Sequence, residues 1–171
     1  MEVDDIVTNT HNTPASLQFG ELIASTAYLS LCNTMAKMYT DGSCWPKNPG
    51  GAGGWAYCII DGDEVSIGSH GYPSDPVNTN NRMELQAITE GLKALKGNKC
   101  KVYTDSMWAL NGATGVHRRH KNLDLWAEHD KASVGKDVEY EWVKAHKGDT
   151  VNEFVDDLAR EEAMFAETQK N

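Results

Sequence analysis

The sequence predicts an α/β domain built on a mixed five-stranded sheet flanked by helices. Two observations carry this expectation. Three β-like segments follow one another in the first half of the chain, and from about residue 80 onward helical and strand patterns alternate. A third sets the scale: 171 residues can bury one sizeable core but leave no room for a second independent enzyme domain.

The first strand covers residues 37–40 and runs into Asp41-Gly42, after which Pro46, Pro49 and Gly50 supply turn chemistry. Asp41 is thereby expected at a strand's end, where a carboxylate can point into a cleft. Residues 54–60 and 65–71 form a hairpin around Asp61-Gly62-Asp63, because an Asp-Gly turn sits between two apolar runs. A helix follows over about residues 80–96, with Leu85, Ile88, Leu92 and Leu95 at helical spacing and Gly97 as its stop. Glu84 falls in its first turn, beside the apolar stripe.

Residues 100–104 read as a strand, 106–111 as a short helix, and 112–115 as a loop. Residues 123–133 read as a helix with Leu125 and Trp126 available for burial, and 138–143 alternate apolar and polar as a strand does. The last helix spans about residues 150–167 and puts Val151, Phe154, Val155, Leu158, Ala159 and Ala163 on one face.

Hydrophobic residues make up 40% and charged residues 24%, values of an ordinary globular chain. No run of eighteen apolar residues exists, so no membrane partner is expected. The net charge of -9 argues against a nucleic-acid binder until its distribution is considered. Glu2, Asp4, Asp5 and Glu21 lie in the first 36 residues, which carry no Lys or Arg, and further acids would be neutralised if they held metal ions. Four widely spaced cysteines form no Cys-x-x-Cys pair, which points to reduced thiols in a cytoplasmic protein rather than zinc. Acidic rather than basic residues precede the mildly apolar stretch 22–32, against a secretion signal.

Carboxylates recur in separate contexts along this frame. Thr-Asp-Gly-Ser-Cys at 40–44, Thr-Asn-Asn-Arg-Met-Glu-Leu at 79–85, Thr-Asp-Ser at 104–106, Lys-Asn-x-Asp-Leu-Trp at 121–126, Ala-His-Lys-Gly at 145–148 and Asn-Glu-x-x-Asp at 152–156 stand in this order. Together they closely resemble the type 1 ribonuclease H family over about residues 37–165. The resemblance implies a ribonuclease H-like domain at 37–167, an N-terminal extension of unknown role at 1–36 and a short tail at 168–171. It implies a monomeric endonuclease that hydrolyses the RNA strand of RNA/DNA hybrids with two metal ions, leaving 5′-phosphate and 3′-hydroxyl ends.

The same resemblance implies that Asp41, Glu84, Asp105 and Asp156 converge as catalytic metal ligands. Two unit charges 4 Å apart repel by about 4 kcal/mol at an effective dielectric of about 20, so such a cluster calls for cations or protons. Oxygen-only ligands select hard ions such as Mg²⁺, with Mn²⁺ as a substitute. Helical periodicity alone does not separate Asp156 from Asp157; the motif selects Asp156. His146 would assist proton transfer or product release from a flexible connection.

Gly42, Cys44, Asn48, Asn80 and Asn81 would line the minor groove and sense the RNA strand, Thr79 would hold a DNA-strand phosphate, and Asn122 would touch nucleic acid, with Trp126 packed as core. The chain departs from the pattern in three places. Its turn around Asn48 is one residue longer. Met107 stands where a Gln often follows Thr-Asp-Ser. A long basic handle is missing before Asn122, which leaves the run 117–121, with Arg118 and Arg119, as candidate phosphate contacts.

Overall fold

A computed structural model describes residues 35–144 and 148–169. The chain runs β1 (Ala36–Trp45), β2 (Ala52–Asp61), β3 (Glu64–Tyr72), α1 (Asn80–Ala94), β4 (Lys99–Thr104), α2 (Met107–Ala113), α3 (Leu123–Ser133), β5 (Asp137–Trp142) and α4 (Thr150–Thr168). The five strands form one sheet in the order β3-β2-β1-β4-β5. The β1–β2 and β2–β3 pairs are antiparallel and β1–β4 and β4–β5 parallel, the mixed sheet that grouped strands followed by strand–helix alternation imply.

The hairpin closes through Gly62, whose φ of +60° suits a residue without a Cβ, and Asp61 pairs with Glu64 across it. α1 ends at Ala94 rather than 96, because Leu95 turns extended (φ −62°, ψ 119°) and buries its side chain, so the stop precedes Gly97. α2 starts one residue later than expected and takes in Gly112, since Ser106 serves as its N-cap, accepting from the Ala109 amide at 3.3 Å. Most of the extension expected at 1–36 lies outside the described residues. Ala36, its last residue, is the buried first residue of β1.

Strand alternation divides β1 between two faces. Met38 is fully buried with Ile88 and Leu92 of α1, whereas Tyr39 packs with Val155 and Ala159 of α4. Asp41 therefore shares the α4 face and Gly42 the α1 face.

The α4 contact explains why its buried stripe is Val155, Ala159, Ala163 and Ala166. Gly54 and Gly71 pair in register beneath the helix, and a Cβ on Gly54 would lie 2.1 Å from the Ala159 carbonyl oxygen. Backbone meets backbone there, so only small residues fit along the helix's centre line. Phe154, expected on that face, is instead 43% exposed: it stands about 100° around the helix from Val155. No helix among the described residues is long and apolar enough to cross a membrane.

Candidate active site

The parallel pairing of β1 with β4 ends at Tyr39 opposite Tyr103, whose rings stack at 4.7 Å. Beyond it β1 continues to Trp45 because β2 still pairs with it, Asp41 opposite Ala56. Asp41 is thus in mid-strand, not at a strand's end. Only its β4-side edge is free, and that edge opens the cleft. Carried forward at the same offset, the register sets Asp105 level with Asp41. Asp105 follows the last residue of β4, and its carbonyl accepts hydrogen bonds from the Met107 amide (3.1 Å) and from the exposed Trp142 indole (3.1 Å).

Glu84 comes from the other side. Thr79 caps α1 by accepting from the Arg82 amide at 3.2 Å, so the helix starts at Asn80 and Glu84 lies in its second turn, not its first. Its side chain is buried, 8% exposed, despite its place beside the apolar stripe. Gly42 makes this possible, because β1 and α1 touch there with no side chain between them. As a result Asp41, Glu84 and Asp105 each offer a carboxylate oxygen within 4.8 Å of the others.

Asp156 is half-buried on α4, and its carboxyl lies within hydrogen-bonding reach of Asp41's. Asp157 points to solvent and pairs with Arg160 at 2.5 Å. The geometry thereby separates two acids that periodicity left equivalent. Asp149 caps α4 by accepting from the amides of Val151 (3.1 Å) and Asn152 (3.2 Å), which starts the helix where Asp156 faces the cluster. His146 lies outside the described residues.

Burial, then the charges of Asp105 and Asp156, push the Asp41 carboxyl well above the usual range. Burial, then Asp41 and Asp105, do the same to Glu84. One opposing contact exists on Asp41, whose Oδ1 accepts from the Gly42 amide at 2.7 Å. Glu84 Oε2 is buried and accepts no hydrogen bond from the described residues. A buried acceptor without a donor is costly. An all-oxygen donor set, mutually repelling and with one buried oxygen unsatisfied, fits a hard divalent cation.

Around this centre the other expected site residues fall into two groups. In the first, the Cys44 amide donates to Asn80 Oδ1 (2.8 Å), and the Asn80 amide donates to Asn48 Oδ1 (3.2 Å). The longer turn thus still brings Asn48 to Asn80. Both asparagines are exposed, as is Asn81, while Thr79 is occupied as the helix cap. In the second, Asn122 adopts a left-handed backbone (φ 55°) at the start of α3 and makes no capping bond with its side chain. Its Oδ1 accepts from Arg82 (3.3 Å), which also grips Asp124 at 2.6 Å.

Arg118 is exposed, but Arg119 is turned inward. It donates to the Gly112 carbonyl (2.8 Å), pairs with Asp130 (2.7 Å) and lies 4.0 Å over the Trp126 ring. These contacts hold the loop to α3 and engage the Arg119 guanidinium within the protein. Trp126 is buried at 3% exposure, as expected of core, and Met107 is exposed at the start of α2. Sequence reasoning passed over Arg82 and Asn78. Arg82 stands inside a quoted motif, yet only its contacts with Asn122 and Asp124 show a role; Asn78 carries no sequence signal beyond its place before Thr79.

The family model for RNase H matches residues 33–164. A ribonuclease H of Wolbachia pipientis is 40% identical over 144 residues, covering 75% of this chain and 95% of the relative. The N-terminal RNase H domain of a Mycobacterium tuberculosis protein, solved as a fusion with maltose-binding protein, superposes with a TM-score of 0.68 at 19% identity, covering 78% of this chain and 96% of that one. The LC11 RNase H1, solved with an RNA/DNA hybrid, superposes with a TM-score of 0.64 at 20% identity, covering 77% and 98%. The two structures share the mixed five-stranded sheet and its flanking helices, and the sequence matches go further: the chain belongs to the ribonuclease H family of metal-dependent hydrolases.

Proposed function

We propose that this chain is an endonuclease that cleaves the RNA strand of RNA/DNA hybrids by a two-metal-ion hydrolysis, leaving 5′-phosphate and 3′-hydroxyl ends. The observation that carries the reading is the meeting of Asp41, Glu84 and Asp105 from β1, α1 and the end of β4, with oxygens within 4.8 Å. Three elements distant in sequence converge on one acidic point with Asp156 beside it. A hybrid bound to the LC11 relative supports the substrate class.

On this reading Asp41, Glu84, Asp105 and Asp156 hold the ions, Mg²⁺ in the first instance with Mn²⁺ as a substitute. Two such ions supply activation of a water and stabilisation of the departing 3′ oxygen in an in-line displacement. The protein's own residues bind and orient. Asn48, Asn80 and Asn81, with the backbone at Gly42 and Cys44, face the RNA strand; Thr79 holds a phosphate of the DNA strand; Asn122 touches the nucleic acid; and His146 moves a proton or helps product leave. Arg118 supplies charge for phosphate. The chain is read as a monomer acting alone in a reducing cytoplasm, which suits the free, buried Cys44, Cys58 and Cys100. The residues ahead of β1 are an extension that this chemistry does not require.

A labelled RNA/DNA hybrid tests substrate and cofactor together. Cleavage of the RNA strand should vanish with EDTA and return with added Mg²⁺, and end analysis should find 5′-phosphates. Cleavage of branched DNA with an intact hybrid would overturn the reading.

A further inference from the structure

We infer that Asn78 is a positioning residue, a buried latch that sets two outward-facing amide donors, on Asn48 and Asn80, against acceptor oxygens of the bound nucleic acid. The inference rests on the hybrid-cleaving reading above and adds to it the residue that shapes its substrate face.

Asn78 is 6% exposed, and its side chain and its carbonyl both reach residues outside its own segment. Its Nδ2 donates to the carbonyls of Gly51 (3.1 Å) and Pro73 (3.0 Å). Its own carbonyl accepts from the Gly50 amide (2.9 Å) and from the Cys44 thiol (3.5 Å), which also reaches the Lys47 carbonyl (3.2 Å). The turn between β1 and β2 is therefore tied to the segment before α1 through one side chain and one carbonyl.

What the latch sets is polarity. Asn48 Oδ1 accepts from the Asn80 amide, and Asn80 Oδ1 accepts from the Cys44 amide, so both side-chain oxygens are held inward by backbone donors. Both residues are exposed, and the ends left toward solvent are the Nδ2 donors. A paired donor face suits 2′-hydroxyl, sugar and phosphate oxygens and the minor-groove acceptors of bases. The turn is one residue longer than the family pattern, and the latch is what returns Asn48 to the helix start.

The test compares full-length wild type with Asn78→Ala, Asn78→Thr, Asn48→Ala and the Asn78→Ala/Asn48→Ala double variant. Asn78→Ala should raise KM for a hybrid about tenfold with kcat within about twofold, the size of losing a well-placed neutral hydrogen bond from binding alone. Asn78→Thr, which keeps one donor, should fall between. Because part of the effect of Asn78 passes through Asn48 and the rest through Asn80, the loss of binding in the double variant should be smaller than the product of the two single losses. In the free protein, the side-chain amide resonances of Asn48 and Asn80 should lose their dispersion in Asn78→Ala, while Mn²⁺ affinity stays at the wild-type value. Additive effects, an equal fall in kcat, unmoved amide resonances, or failure of both Asn78 variants to fold at the assay temperature would each overturn the inference. A wild type that neither binds nor cleaves hybrid would sink the ribonuclease reading instead, and the amide resonances would still report on the latch.

Discussion

Gly42 and Glu84 are in backbone contact: a Cβ on Gly42 would sit 2.1 Å from the Glu84 amide nitrogen and 2.2 Å from the Met83 carbonyl carbon. No rotamer relieves a clash with backbone. Gly42→Ala should therefore push α1 off β1, cost at least the ~1–3 kcal/mol typical of overpacking, and separate Glu84 from Asp41. Thermal unfolding and Mn²⁺ titration should both show losses. An alanine variant with wild-type metal affinity would mean that the close approach is not what seats Glu84.

Asp41→Asn, Glu84→Gln and Asp105→Asn should each abolish cleavage and leave the metal-free fold at least as stable as wild type. Each removes a charge from a cluster in which every neighbour repels it. The checks are hybrid cleavage and a melting temperature in EDTA, which should stay level or rise. Near-normal activity with Mg²⁺ in any of the three would remove that residue from the site.

The raised carboxyls of Asp41 and Glu84 make a signed pH prediction. In the unfolded chain both groups lose their protons near about pH 4, whereas in the folded protein they keep them to higher pH. The native state then binds more protons than the unfolded state, so this contribution to stability declines as pH rises from about 4 through the raised values. Metal-free wild type should lose melting temperature across that window relative to Asp41→Asn, and saturating Mg²⁺, which favours the charged forms, should flatten the difference. A constant difference between the two proteins in EDTA would contradict the assigned burial and repulsion.

Asp156 and Asp157 are adjacent but differently placed, the first half-buried beside the cluster and the second exposed. Asp156→Asn should lower turnover and metal affinity. Asp157→Asn should do neither, because it removes only an exposed pair with Arg160, worth about 0–1 kcal/mol. Loss of turnover in Asp157→Asn alone would reverse the assignment.

Arg118 and Arg119 should part in the same way. Arg118→Ala should weaken hybrids of every sequence about equally and flatten the salt dependence by at most about one unit, since a phosphate contact carries no base information. Arg119→Ala should instead lower stability, because it strips a partner from Asp130, the Gly112 carbonyl and the Trp126 ring. Equal flattening of the salt slope by both variants would put Arg119 back on the nucleic-acid face.

By itself the sequence determined what is local in this protein. The bounds of α3 at 123–133 follow from spacing and flanking residues, and the order of strands and helices follows from patterns a few residues long. Asp41, Glu84 and Asp105 are named through the family resemblance, which is legible because each of its motifs is a short run of neighbouring residues. The tertiary structure decided what depends on partners far along the chain. β2 carried β1 past Asp41, the paired Gly54 and Gly71 made α4 bury alanines and expose Phe154, and Asp130 with Trp126 turned Arg119 inward. Asp156 was preferred to Asp157 in geometry only when the Asp149 cap started α4 against the sheet. The physical reason is common to all four. Periodicity says which side chains share a face, but which face meets another element, and how closely, is decided by packing between segments whose separation in sequence leaves no local trace.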